Sequence, residues 1–178
     1  RKVTVFHKAN IMKLTDGMFI RCAQQVHEKE FGSFPYQELI IDAGCMRMVQ
    51  DPTQFDVLLL ENLYGDVVSD LCAGFVGGLG VVPGANIGEE DAVFEAVHGS
   101  APDIAGKGIA NPLALLMSAV MMLNHLGDTR GDTSCRQIGQ RIKAAYNRAL
   151  ADGQKTSDLG GTLGTAQFAD AVIERLRG

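Results

Sequence analysis

The sequence predicts an α/β fold in which strands alternate with helices in a largely parallel sheet, with helices closing the carboxyl end. Three observations point to it. Short apolar runs of strand length occur at residues 3–6, 39–41 and 55–60. Each is followed by a stretch whose apolar residues recur at helical spacing. Strands that alternate with helices in this way pair in parallel through crossover connections.

In chain order, residues 3–6 read as the first strand and 12–31 as an amphipathic helix with Phe19, Ala23 and Val26 on one side. Residues 39–41 give the second strand and 43–50 a short helix. The run Phe55-Asp56-Val57-Leu58-Leu59-Leu60 gives the third, an apolar stretch of the kind buried on both faces of a parallel sheet. A helix then starts at Asp66 and continues through Val76. From Gly77 the texture changes to a glycine-rich connection, residues 77–88, suited to tight turns or close approach to a ligand. A short strand at 92–95 leads into the turn His98-Gly99-Ser100-Ala101-Pro102-Asp103. Three helices close the chain at about 112–126, 134–152 and 165–177, with Pro112 suited to a first turn and Gly153 to a carboxyl cap. The change of texture places a domain boundary near Gly77, giving domains at 1–76 and 77–178.

Composition excludes several classes. Of 178 residues, 46% are hydrophobic and 21% charged, which supports a packed core and excludes a disordered chain. The net charge of −5, with no basic run, argues against a nucleic-acid partner. No apolar stretch reaches the ~18 residues of a membrane span; the longest, residues 113–126, is broken by Ser118, Asn124 and His125. Cys22, Cys45, Cys72 and Cys135 lack metal-ligand spacing and read as reduced thiols in a reducing compartment. Because Arg1-Lys2 leads straight into a strand, a piece of a longer protein is expected.

The chemistry gathers at strand ends. In Asn62-Leu63-Tyr64-Gly65-Asp66-Val67-Val68-Ser69-Asp70, two carboxylates stand four residues apart where a strand gives way to a helix, so both can face one ligand. Two hard oxygen donors there suit Mg²⁺ or Mn²⁺. The same spacing also suits an N-cap aspartate followed by a solvated helix residue. Lys8 follows the first strand and Asp42 the second, so three strands each deliver an ionisable residue at their carboxyl ends, where α/β sheets bind ligands. Lys8 suits proton transfer if burial lowers its pKa, and otherwise a surface lysine. The turn at 98–103 offers backbone N–H groups to a phosphate, and Asp103 an acceptor for a ribose diol. It is not the G-x-G-x-x-G turn, and an ordinary loop with an N-cap aspartate fits it as well. His27 and His125 lie in helices and read as structural; Glu89, Glu90 and Asp91 read as a solvated acidic loop.

Together these segments resemble the metal-dependent β-decarboxylating dehydrogenases, which act on isocitrate, isopropylmalate, homoisocitrate or tartrate. The likeness runs over the whole chain, and the segment 62–70 with its glycine-rich continuation matches the family signature. The family's chains are longer, so the resemblance implies the carboxyl-terminal half of one subunit, with 1–76 in the small, dimerising domain and 77–178 in the large, cofactor-binding one. The segments His7-Lys8-Ala9-Asn10-Ile11-Met12-Lys13 and Pro83-Gly84-Ala85-Asn86-Ile87-Gly88 resemble those of isocitrate dehydrogenases, NAD-dependent ones above all.

That resemblance implies NAD-dependent oxidative decarboxylation of isocitrate to 2-oxoglutarate and CO₂, as in the tricarboxylic acid cycle. It implies that Asp66 and Asp70 hold Mg²⁺ or Mn²⁺ together with Asp42 of a dimer partner. Lys8, also from the partner, would handle the proton of the C2 hydroxyl, in a homodimer or larger assembly with shared active sites. For the cofactor it implies Asn10 and Glu95 toward the nicotinamide end and His98 and Asn111 about the adenine. Gly99, Ser100 and Ala101 would line the path between, with Asp158 on the adenosine side. Asp103 and Ile104 match the pair associated with NAD rather than NADP. The C3 proton donor and the substrate's carboxylate anchors would lie in the other half. Isopropylmalate or homoisocitrate as substrate, or a non-catalytic regulatory subunit, are the alternatives; retention of Asp66 and Asp70 favours a catalytic type. The expected compartment is the cytoplasm for a bacterial protein, the preferred reading, or the mitochondrial matrix for a eukaryotic one.

Overall fold

A computed structural model describes residues 1–177; the last residue of the second expected domain, Gly178, lies outside the described residues. The chain forms two compact units, Arg1–Leu71 and the part from Cys72 onward. The division falls inside the helix Asn62–Val76, a few residues before Gly77.

The first unit is built on a three-stranded parallel sheet of order β2-β1-β3, from β1 (Val3–His7), β2 (Tyr36–Ile40) and β3 (Val57–Leu59). Val3 to His7 align with Tyr36 to Ile40 on one side, and Val3 to Val5 with Val57 to Leu59 on the other. Helices α1 (Thr15–Glu30), α2 (Ile41–Gln50) and α3 (Asn62–Val76) follow the three strands. Thr4, Val5 and Phe6 of the central strand are fully buried. The Phe6 ring meets the Phe55 ring edge-on at 5.4 Å. Its other contact is Gly44 of α2, where a Cβ would fall 2.5 Å from the ring, so glycine is what lets the helix close on the strand.

Three expectations for this unit need correction. The strand buried on both faces is β1, not the run 55–60: β3 is an edge strand of three residues, and its Val57 and Leu59 are exposed. The second strand starts at Tyr36, earlier than the apolar run. The third helix starts at Asn62 rather than Asp66, because the Glu61 carboxylate accepts the N–H groups of Leu63 and Tyr64, both at 3.0 Å, and so caps it four residues sooner.

The second unit packs α4 (Leu113–Arg130), α5 (Thr133–Ala151) and α6 (Thr165–Arg177) around Leu113, Val120, Ala145, Tyr146, Ala149, Phe168 and Val172. Burial raises the Tyr146 phenol above its usual range. Against α4 lies an antiparallel hairpin of β4 (Pro83–Ile87) and β5 (Ala92–Ala96), so part of the glycine-rich stretch expected as a connection is a strand. A proline at a strand's first position and a glycine beside it hid the signal. Ser118 of α4, fully buried, joins the layers: it donates to the Glu95 carbonyl at 2.6 Å and lies 3.4 Å from the Gly84 N–H. Among the described residues no helix is long and apolar enough to cross a membrane.

Candidate active site

In the first unit Lys8 and Asp42 fall at strand exits, whereas Asp66, expected at the third, lies beyond the first turn of α3, seven residues after β3 ends, because that helix starts at Asn62. Lys8 leaves β1 and its ammonium forms an ion pair with the Asp42 carboxylate in the first turn of α2. The hydrogen bond from Lys8 holds the Asp42 carboxyl below the usual carboxylate range, and a helix amino terminus favours the same charge. The Lys8 side chain is 26% exposed and that of Asp42 63%, so the pair opens to solvent through the acid. Asn10 is exposed in the turn just beyond. The Lys8 N–H donates to the Asp16 carboxylate at 2.7 Å, and Asp16 is buried at 7% exposure. Burial, with the negative charge of Asp16 beside it, pushes the Tyr64 hydroxyl above its ordinary value.

Asp66 and Asp70 lie one turn apart on α3, both exposed, and neither carboxylate is engaged by a hydrogen bond or ion pair among the described residues. Among the same residues no three His, Cys, Asp or Glu side chains converge in one chain to hold a metal ion. Asp66 and Asp70 therefore offer a divalent cation two free hard oxygen donors, a set that fits Mg²⁺ or Mn²⁺ and leaves coordination positions open.

The second unit carries a cavity of about 780 Å³, within the range of small-molecule sites. Seven expected cofactor residues line it: His98, Gly99, Ser100, Ala101, Ile104, Asn111 and Asp158. Two others sit outside that lining. Asp103 lies exposed in a 3₁₀ turn, Pro102–Ile104, and Glu95 on β5 accepts a hydrogen bond from the Asn86 amide at 2.9 Å. Asn10 belongs to the first unit.

Much of this wall is backbone. Ala101 adopts φ +43°, left-handed for a residue with a side chain, and Gly106 and Gly108 follow at +75° and +64°. Glycine takes these angles freely, whereas alanine does so at a cost that the surrounding structure must hold in place. The polar wall is more rigid. The Asn111 amide donates to Asp158 at 2.9 Å and its oxygen accepts the Leu113 N–H at 3.0 Å at the start of α4. Thr156, fully buried, donates to the other Asp158 oxygen at 2.5 Å. Gly80 lies close beneath this brace: a Cβ there would stand 2.8 Å from the Asp158 carboxylate and would displace it.

Sequence reasoning missed Asp16, Leu79, Gly80, Ile109 and Thr156. Asp16 had a weak signal, an acid in a first helical turn eight residues after Lys8, but a first-turn acid is common enough to pass unread. Nothing in the spacing of Gly80 or Thr156 sets them apart.

Comparisons with known proteins bear on the family and the fold. The model of the isocitrate/isopropylmalate dehydrogenase family matches residues 1–172. A catalytic subunit of mitochondrial NAD isocitrate dehydrogenase from Arabidopsis thaliana is 50% identical over 98% of this chain and 45% of its own length. A regulatory subunit of the mitochondrial NAD isocitrate dehydrogenase from Dictyostelium discoideum is 49% identical over 99% of this chain and 48% of its own. The crystal structure of isocitrate dehydrogenase from Methylococcus capsulatus superposes with a TM-score of 0.88 at 48% identity, covering 100% of this chain and 51% of that one. The chain thus spans about half the length of the relatives it matches. With this match over nearly its whole length and this fold, the chain belongs to the isocitrate/isopropylmalate dehydrogenase family.

Proposed function

We propose that this chain is part of a catalytic subunit that oxidises isocitrate with NAD⁺ and releases CO₂ and 2-oxoglutarate. The observation that carries the reading is the state of four side chains: Lys8 and Asp42, at strand exits, are paired as ions, while Asp66 and Asp70 on α3 stand free one helical turn apart. A shared active site needs that division, with Lys8 and Asp42 serving the site of a dimer partner and Asp66 and Asp70 serving their own.

Asp66 and Asp70, with Asp42 of a second subunit, would hold Mg²⁺ or Mn²⁺. A cation held by these carboxylates would supply a Lewis acid for the C2 oxygen and for the negative charge left by loss of CO₂. Lys8, once its ammonium has given up a proton and the amine is neutral, would accept the proton of the C2 hydroxyl. In the cavity, Ala101 and its glycine neighbours would turn backbone N–H groups to the cofactor's phosphates, and Ile104 would pack on the adenosine. Asn111, held by Asp158 and the start of α4, would present its remaining amide N–H to the adenine. Asp103, exposed and without a partner among the described residues, would accept the ribose diol and disfavour a 2′-phosphate.

The near-equal identity to a regulatory subunit supports a second reading, in which the chain binds nucleotide without turning substrate over. Assay of the intact protein, purified alone with Mn²⁺ and NAD⁺, on isocitrate, isopropylmalate and homoisocitrate tests all of these. Preferred NADH formation on isocitrate is expected. Preference for isopropylmalate or homoisocitrate would overturn the substrate, and inactivity on all three acids would overturn the catalytic reading and favour the regulatory one.

A further inference from the structure

Lys8 can act at one hydroxyl proton only if its side chain leaves the end of β1 in a fixed direction. Misplacement of a reacting group by about 1 Å can cost on the order of 100-fold in rate. The backbone at Lys8 is held from both sides. Its carbonyl accepts the N–H groups of Ile11 and Met12, each at 2.8 Å, and the next residue, Ala9, donates to the His7 ring at 3.1 Å. Its N–H does not join the β1 ladder but turns to the Asp16 carboxylate at 2.7 Å. Asp16 is buried, and Thr15 contributes a second, longer donor at 3.2 Å. Tyr64, on the helix that bears Asp66 and Asp70, faces the same carboxylate. A buried carboxylate is costly unless its oxygens are engaged, and charge-assisted bonds of this length are the strong ones. The turn could have been closed by a neutral acceptor, so the acid here does more than fill space.

We propose that Asp16 is the positioning residue of the Lys8 turn: its buried carboxylate accepts the Lys8 N–H and sets the direction in which the Lys8 ammonium leaves the sheet. The proposal rests on the role given to Lys8 above. It also places one carboxylate between the turn that carries the proton-handling lysine and the helix that carries the free aspartate pair.

The test compares the intact wild-type protein with Asp16→Ala, Asp16→Asn and Lys8→Ala. The first readout is hydrogen exchange of the Lys8 amide, which needs no turnover. A hydrogen bond to a charged group slows exchange on the order of 10- to 100-fold. Exchange at Lys8 should speed by that factor in Asp16→Ala and by less in Asp16→Asn, which keeps one acceptor and serves if the alanine variant fails to fold. The amides of Val5 and Phe6 should stay protected. The second readout is steady-state kinetics. In Asp16→Ala kcat should fall about 10- to 100-fold with KM for NAD⁺ unchanged, and Asp16→Asn should recover most of the loss. Unchanged Lys8 exchange in a folded Asp16→Ala protein would overturn the proposal. Full kcat in Asp16→Ala beside an inactive Lys8→Ala would overturn it as well. If Lys8→Ala keeps full turnover, it is the reading of Lys8 that fails, and the exchange experiment still decides what Asp16 does.

Discussion

The two units build their sites from different materials. In Arg1–Leu71 the chemistry is carried by side chains: Lys8, Asp42, Asp66 and Asp70, steered by strand exits and by the buried Asp16. From Cys72 onward it is carried largely by backbone, a turn with one left-handed alanine and two left-handed glycines, braced by Asn111, Asp158 and Thr156. The first kind of site tolerates changes of neighbours but not of its charged groups. The second rests more on backbone than on ionisable side chains. Under the proposed function, changes in the first unit should act on metal affinity and proton transfer, and changes in the second on cofactor choice.

The comparison breaks most visibly if a change in the second unit disturbs the first. Replacing Asp103 by Lys together with Ile104 by Tyr removes the diol acceptor, and KM for NAD⁺ should rise on the order of 10- to 100-fold. Mn²⁺ affinity should hold. Unaltered NAD⁺ kinetics would mean that the adenosine lies elsewhere.

A packing change in the first unit should act on stability alone. Gly44→Ala would drive a methyl into the fully buried Phe6 ring, 2.5 Å away. Overpacking of this kind costs about 1–3 kcal/mol. At an open helical position the same substitution stabilises, so the sign is diagnostic. Thermal unfolding should show a lower midpoint for this variant, and a raised midpoint would show that the helix does not press on Phe6.

The smallest effect concerns pH. The Asp42 carboxyl is lowered by Lys8, so the pair contributes fully above the ordinary aspartate value of about 3.9, and is lost as pH falls through the lowered folded-state value. Because Asp42 is exposed, the contribution is modest. Wild type and Asp42→Asn should differ slightly in unfolding midpoint at about pH 6, and the gap should close only below about pH 4. A gap that widens with acid would refute the sign.

These contrasts match how far each region was legible in the sequence. The carboxyl-terminal helix Thr165–Arg177 lies at its expected bounds, since its amphipathic period is unbroken. Lys8 and Asp42 were legible because a charged residue directly after an apolar run marks a strand exit. The start of α3 was not, because Glu61 does the work of a cap and glutamate is not among the residues that signal one. β4 was hidden by Pro83 and Gly84, which read as turn residues until their partner strand is known. The brace around Asp158 joins residues 80, 111 and 156, a proximity that only the folded chain creates. The ionisable candidates and the turn at 98–103 were suggested by residue type and place, whereas Asn10, Glu95, Asn111 and Asp158 came only with the family resemblance.

The central claim is that Asp66 and Asp70 form the chain's own share of a divalent-metal site for isocitrate oxidation. It is tested most directly by Mn²⁺ binding and NADH formation in the intact protein and its Asp70→Asn variant. Removal of one of two chelating carboxylates should cost at least ~100-fold in Mn²⁺ affinity, since even indirect supports of a ligand are worth about 10–100-fold. Turnover on isocitrate should fall with it, while NAD⁺ binding stays intact. Mn²⁺ affinity and activity close to wild type in Asp70→Asn would contradict the account.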